Sequence, residues 1–115
     1  MSRPAQVFTH TISHIRSMKK LSSPSNVETL AVRITGKVQG VGYRIATVRQ
    51  AHSLGVTGWV RNLEDGSVEG LLQGPHDRID QMLSWLHIGP PAARVEEVDV
   101  REVQDERHYD RFEQI

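Results

Sequence analysis

Residues 36–44 read Gly36-Lys37-Val38-Gln39-Gly40-Val41-Gly42-Tyr43-Arg44, and two different periodicities meet there. Before this stretch, Leu30, Val32 and Ile34 alternate with Ala31, Arg33 and Thr35, the period of a half-buried strand running from Leu30 to Val38. After it, Val41, Ile45, Val48, Ala51 and Leu54 recur at spacings of three and four. That predicts a helix from about Val41 with one apolar stripe, stopped by Gly55. Gly40 and Gly42 break the strand, so the stretch is a strand–turn–helix junction.

Working outward, Val56 to Asn62 reads as a second strand that contains Trp59, and Asp65-Gly66 is a hairpin signal. Val68 and Leu72 continue a third strand that ends at Gly74-Pro75. Ile79, Met82, Leu83 and Leu86 sit at i, i+3, i+4 and i+7, an amphipathic helix that Gly89-Pro90-Pro91 terminates. Val95, Val98, Val100 and Val103 make a fourth strand, and the parity slip between Val95 and Val98 predicts a bulge. Phe112 and Ile115 suggest a short further edge strand. The order β-α-β-β-α-β predicts an α+β fold, a ferredoxin-like sandwich of an antiparallel sheet with two helices on one face. In that topology strands one and two run parallel with the third between them. Their C-terminal ends then lie roughly 10 Å apart, two strand spacings. The loop after Lys37 and the side chain of Asn62 are thereby expected to face one region.

Composition narrows the function. The chain has 115 residues, the size of one domain. It has no cysteine, which excludes disulfides, thiol catalysis and thiolate metal sites. No apolar run is long enough to cross a bilayer. The formal net charge is +0, but it is divided. Residues 1–27 hold four basic residues and no acid, and residues 28–115 are left at −4. The leader, with six serines and two prolines, is expected to be a flexible basic extension ahead of a domain over 28–115. A translation start placed too early, with Met18 as a later one, fits equally. An acid-free start with Arg and Ser is also how an organellar transit peptide reads.

The junction itself has anion-binding chemistry. Glycines with positive φ can turn successive N–H groups inward as a nest, and the helix that follows adds free N–H groups and a positive dipole end. Arg44 supplies a planar fork of donors that matches a phosphoryl group. It is not a Walker loop, because no Gly-Lys-Ser/Thr follows. A plain tight turn beside a solvated Arg fits the same residues. Asn62, on spacing alone, fits a turn residue as well as a functional one.

Gly36-x-Val38-Gln39-Gly40-Val41-Gly42-Tyr43-Arg44 resembles one signature of the acylphosphatases. Gly58-Trp59-Val60-Arg61-Asn62, followed by Asp65-Gly66, resembles the other. The resemblance extends over about residues 29–115 and includes Gln73-Gly74-Pro75 and Gly89-Pro90-Pro91. It implies hydrolysis of an acyl phosphate to a carboxylate and inorganic phosphate, the latter also an inhibitor. By this resemblance Arg44 binds the phosphoryl group and Asn62 holds the attacking water. The backbone N–H groups of Gln39, Gly40, Val41, Gly42, Tyr43 and Arg44 cradle the phosphate oxygens. Tyr43 stands where many members have Phe. The chain lacks the basic and aromatic ending of some members, which puts a contact from its last residues to the site in doubt.

No triad or metal set is expected. His52, His76, His87 and His108 are scattered, and His10 and His14, four apart in the leader, lack a third ligand. Glu64 and Asp65 read as solvated turn charges. A carboxylate leaving group needs no proton, so charge stabilisation and an aligned water suffice. The expectation is a monomeric, cytoplasmic hydrolase with no cofactor, no metal, no nucleic-acid partner and no membrane partner. Three other readings fit the same fold. A weak phosphate or carboxylate sensor would use the same site without turnover, since site geometry does not guarantee rate. An RNA-binding sheet would need exposed aromatics, and Phe, Trp and Tyr number only 2 each. A carbamoyl-transfer protein can carry such a domain, but no zinc motif or second domain accompanies this one.

Overall fold

In the computed structural model residues 27–104 and 107–115 are described. Strand β1 spans Val27–Lys37, helix α1 Tyr43–Leu54, β2 Thr57–Asn62, β3 Val68–Pro75, helix α2 His76–Ile88, β4 Arg94–Glu102 and β5 Phe112–Gln114. The sheet order is β4-β1-β3-β2-β5. β1 pairs antiparallel with β3 and β4, β2 antiparallel with β3, and β5 parallel with β2. The expected ferredoxin-like α+β order is therefore present, with β5 as the further edge strand. β1 starts three residues earlier than its alternation suggests and takes in Val27, the last residue of the basic leader. Residues 1–26, with His10 and His14, lie outside the described residues.

The period-two pattern decides which face is covered. Leu30, Val32 and Ile34 of β1 are buried with Val60, Val68, Leu72 and Phe112, against Ile79, Met82 and Leu86 of α2. α2 packs over β4, β3 and β1, and α1 over β2 and β5. On the other face Arg61 donates to Glu69 at 2.6 Å and its guanidinium lies 5.4 Å from the centre of the Trp59 ring. The parity slip in β4 is a bulge: Thr35 faces Glu97 and Gly36 faces Val95, so Glu96 is the extra residue. A Cβ on Gly36 would come within 2.1 Å of the Arg94 carbonyl oxygen, so no side chain fits where the bulge presses on β1.

Helix α1 corrects one expectation. Its buried residues are Tyr43, Thr47 and Ala51, and Ile45 is 53% exposed. Ile45 and Leu54 are nine residues apart, two and a half turns, and so stand on opposite sides of the helix. Repeated spacings of three had made the apolar stripe wander. The true stripe runs at intervals of four through Thr47, whose hydroxyl donates to the Tyr43 carbonyl at 2.7 Å. Left unpaired in the core, that hydroxyl would cost about 1–3 kcal/mol. The bond back along the helix lets a polar residue occupy a core position.

Candidate active site

The junction after β1 is fixed by apolar anchors between exposed glycines. Val38 is buried, Val41 packs against the core, and Tyr43 is buried. Gly40 and Gly42 are exposed between them, at φ +74° and +79°. A Cβ at either position would meet nothing within 4 Å. The left-handed backbone therefore calls for glycine there, where an L side chain would cost roughly 1–2 kcal/mol. Gly42 is also the N-cap of α1, and no side chain caps it. The first bond back to the cap runs from the Ala46 N–H to the Gly42 carbonyl, 3.1 Å. The N–H groups of Tyr43, Arg44 and Ile45 precede that ladder, and the first turn carries no acid. Arg44 is half-buried, and its Nη1 donates to the main-chain oxygen of Ile115 at 3.4 Å. Residue 115 thus reaches Arg44 through main chain, which needs no particular side chain.

Asn62 ends β2 opposite Val68 and is exposed, so its amide is open to water. The turn that follows is closed by Leu63 N–H to the Ser67 carbonyl, 2.9 Å, and Gly66 N–H to the Leu63 carbonyl, 3.2 Å. The Gln39 amide Nε2 donates to both carbonyls, at 2.7 Å to Leu63 and 2.9 Å to Ser67. The glycine-rich junction and the end of β2 therefore adjoin, as the parallel placement of β1 and β2 demands.

The side chain of Tyr43 points away from this edge. Its hydroxyl donates to the Leu86 carbonyl at 2.7 Å, and its ring lies 5.9 Å from that of Trp85. Burial pushes the phenol pKa up, so it stays protonated and keeps its donor. Of Tyr43, only the main-chain N–H is available to an anion.

The sequence profile of the acylphosphatase family matches residues 30–114. The chain belongs to the acylphosphatase family. It is 62% identical over 88 residues to an acylphosphatase from Paraburkholderia xenovorans, covering 76% of this chain and 91% of that one. Among solved structures it resembles an acylphosphatase from Coxiella burnetii, with TM-score 0.75 and 39% identity over 78% of this chain and 94% of that one. The acylphosphatase from Bacillus subtilis follows at TM-score 0.74 and 29% identity, covering 77% and 98%.

In this chain the turn after Asn62 is built more firmly than its sequence suggests. Asp65, expected to be a solvated charge, is exposed but accepts from the Ser67 N–H at 2.9 Å and the Ser67 hydroxyl at 2.5 Å. Those two bonds, and behind them the Arg33 guanidinium that pairs with it, hold the Asp65 carboxyl below its usual range. Arg33 Nε also donates to Ser67 Oγ at 3.2 Å. The spacing Asp-x-Ser is an Asx-turn signal and could have predicted the inner part of this network. Nothing local in the sequence signals the reach of Gln39 or Arg33.

Proposed function

We propose that this chain hydrolyses acyl phosphates through the edge formed by residues 39–44 and Asn62. The relatives named above are acylphosphatases, and the activity comes to this chain with the family. In this reading the main-chain N–H groups from Gln39 to Arg44, with the uncapped end of α1, bind the phosphoryl oxygens, and the Arg44 guanidinium binds them from the side. Asn62 holds a water in line with the leaving carboxylate. The P–O bond to the acyl group breaks as the water oxygen bonds to phosphorus, and the water's proton passes to a phosphate oxygen. An acyl phosphate dianion and water thus give a carboxylate and H₂PO₄⁻. The carboxylate leaves without a proton, and charge on the equatorial oxygens is met by donors already in place. Among the described residues no three His, Asp or Glu side chains gather where a cation could sit, and the reading uses no metal or cofactor. It also places the enzyme as a monomer in the cytoplasm, acting on a small molecule. Among the described residues no helix is long and apolar enough to cross a membrane.

The observation that carries the reading is the meeting of an uncapped, acid-free helix start with the exposed end of β2 at Asn62, where Gln39 of the loop donates to the carbonyl of the next residue, Leu63, at 2.7 Å. The test is Asn62→Asp, assayed by phosphate release from benzoyl phosphate with and without EDTA. Asp keeps the shape of Asn but places a charge beside the phosphoryl dianion. At an effective dielectric of ~20 and a separation of ~5 Å, each charge pair costs about 3 kcal/mol. We expect kcat to fall as far as in Asn62→Ala, phosphate inhibition to weaken, the Tm to hold, and EDTA to leave the wild type unchanged. Retention of more than about a tenth of wild-type kcat, a barrier change under ~1.4 kcal/mol, would overturn the role of Asn62.

A further inference from the structure

We infer that the Gln39 side chain is a positioning residue for hydrolysis: it sets the place of the attacking water relative to the phosphoryl group. The inference rests on the reading of Asn62 given above. Gln39 lies within the phosphate loop, yet its amide is turned away from the loop mouth and onto the turn that begins one residue after Asn62.

The chemistry of the contact is specific. The Leu63 and Ser67 carbonyls stand at the two ends of the turn, and each already accepts one main-chain N–H. The Gln39 nitrogen carries two hydrogens and meets one carbonyl with each, at 2.7 and 2.9 Å. With the amide reversed, its oxygen would face two acceptors, so the network itself fixes the orientation. From the far side Arg33 holds the same turn through Ser67 and Asp65. The turn is thus gripped by β1 on one side and by the phosphate loop on the other. Only the Gln39 grip comes from the loop that would carry the substrate. Asn62 and Leu63 are neighbouring residues across one rigid peptide, with Cα atoms about 3.8 Å apart. A shift of the turn relative to the loop therefore moves the water relative to phosphorus. Misplacement of a reacting group by about 1 Å can cost on the order of a hundredfold in rate.

A residue that acts only through Asn62 has a distinctive signature. Gln39→Met keeps the length and loses both donors. We expect its kcat to fall about 10- to 100-fold, with KM and the phosphate Ki each within about twofold of wild type. In an Asn62→Ala background the same change should lower kcat by less than about twofold, because the water is no longer held. Gln39→Glu covers the case in which Met disturbs the loop. Its carboxylate faces two carbonyls at neutral pH, and a protonated carboxyl regains one donor, so kcat relative to wild type should rise as pH falls below about 5. A Gln39→Met variant that raises KM and Ki while keeping kcat would overturn the inference and assign Gln39 to phosphate binding. Equal losses in both backgrounds, or a Gln39→Glu profile parallel to wild type, would overturn it as well. Full activity in Asn62→Ala would instead overturn the reading on which it rests.

Discussion

The two helices begin in opposite ways. α2 opens after Pro75 with Asp77 in its first turn. His76 sits between Glu28 and Asp80, with 3.2 Å on each side. The positive end of α2 is answered by the chain's own acids. Neither helix start is capped by a side chain, but α1 opens on Gly42 with no acid in its first turn and adds Arg44 to its own positive end. A helix start left unmatched by its own sequence is open to an external anion. In the proposed reading the same physics serves stability at α2 and binding at α1.

The comparison breaks first at Arg44. Arg44→Lys keeps the charge but loses the planar fork. Losing a charged hydrogen bond to the transition state costs on the order of 3 kcal/mol, roughly a hundredfold in kcat/KM. Phosphate inhibition should weaken in parallel. Near wild-type kinetics for Arg44→Lys would remove Arg44 from the phosphoryl site.

A sharper form exchanges the character of the two helix starts. Ile45 is exposed in the first turn of α1, so Ile45→Glu gives α1 the acid that α2 already has. Stability should rise by about 0.3–1 kcal/mol from the helix dipole. The phosphate Ki should rise on the order of 30-fold, from ~2 kcal/mol of repulsion at ~8 Å and an effective dielectric of ~20. Asp77→Asn should lower stability by about 0.3–1 kcal/mol and leave kinetics alone. Chemical unfolding and inhibition by phosphate read both pairs. If Ile45→Glu leaves phosphate inhibition unchanged, the start of α1 does not bind the anion.

Two smaller effects follow. Tyr43 joins the beginning of α1 to the end of α2 through the Leu86 carbonyl. Tyr43→Phe should cost about 1 kcal/mol with kcat unchanged, since the hydroxyl is buried and bonded to α2. A matching loss of kcat would show that this bond shapes the loop. Residues 1–26 enter neither comparison, and deleting them should leave Tm and kcat/KM at wild-type values. A large loss of either would show that the leader belongs to the folded unit.

Most of the fold was legible because its patterns are strict. The alternation of Leu30, Val32 and Ile34 gave β1, the spacing of Ile79, Met82 and Leu86 gave α2, and the slip between Val95 and Val98 gave the bulge. α1 was legible as a helix but not in its orientation. Its buried face includes a Thr that a bond to its own helix makes acceptable, and its most prominent aliphatic residue, Ile45, faces solvent. At the proposed site, the signatures pointed to Arg44 and Asn62, and the turn called for glycine at Gly40 and Gly42, where φ is positive. Gln39 entered as a main-chain donor only. Its side chain acts on a turn 24 residues away, and a contact between distant parts of the chain leaves no local periodicity to read.

The place of β1 between β3 and β4 also bears on how the chain folds. Asn62 and Val68, the last pair of the β2–β3 hairpin, are six residues apart. Ile34 and Val68 are thirty-four apart, and Lys37 and Arg94 fifty-seven. Closure entropy grows with separation, by about 0.6 kcal/mol for each doubling of loop length. The expected sequence of events is hairpin first, then arrival of β1, then addition of β4 at the outer edge. Gln39 travels with β1 and meets the hairpin turn at the middle step. The proposed site edge is therefore expected to assemble while the β4 side of the sheet is still open.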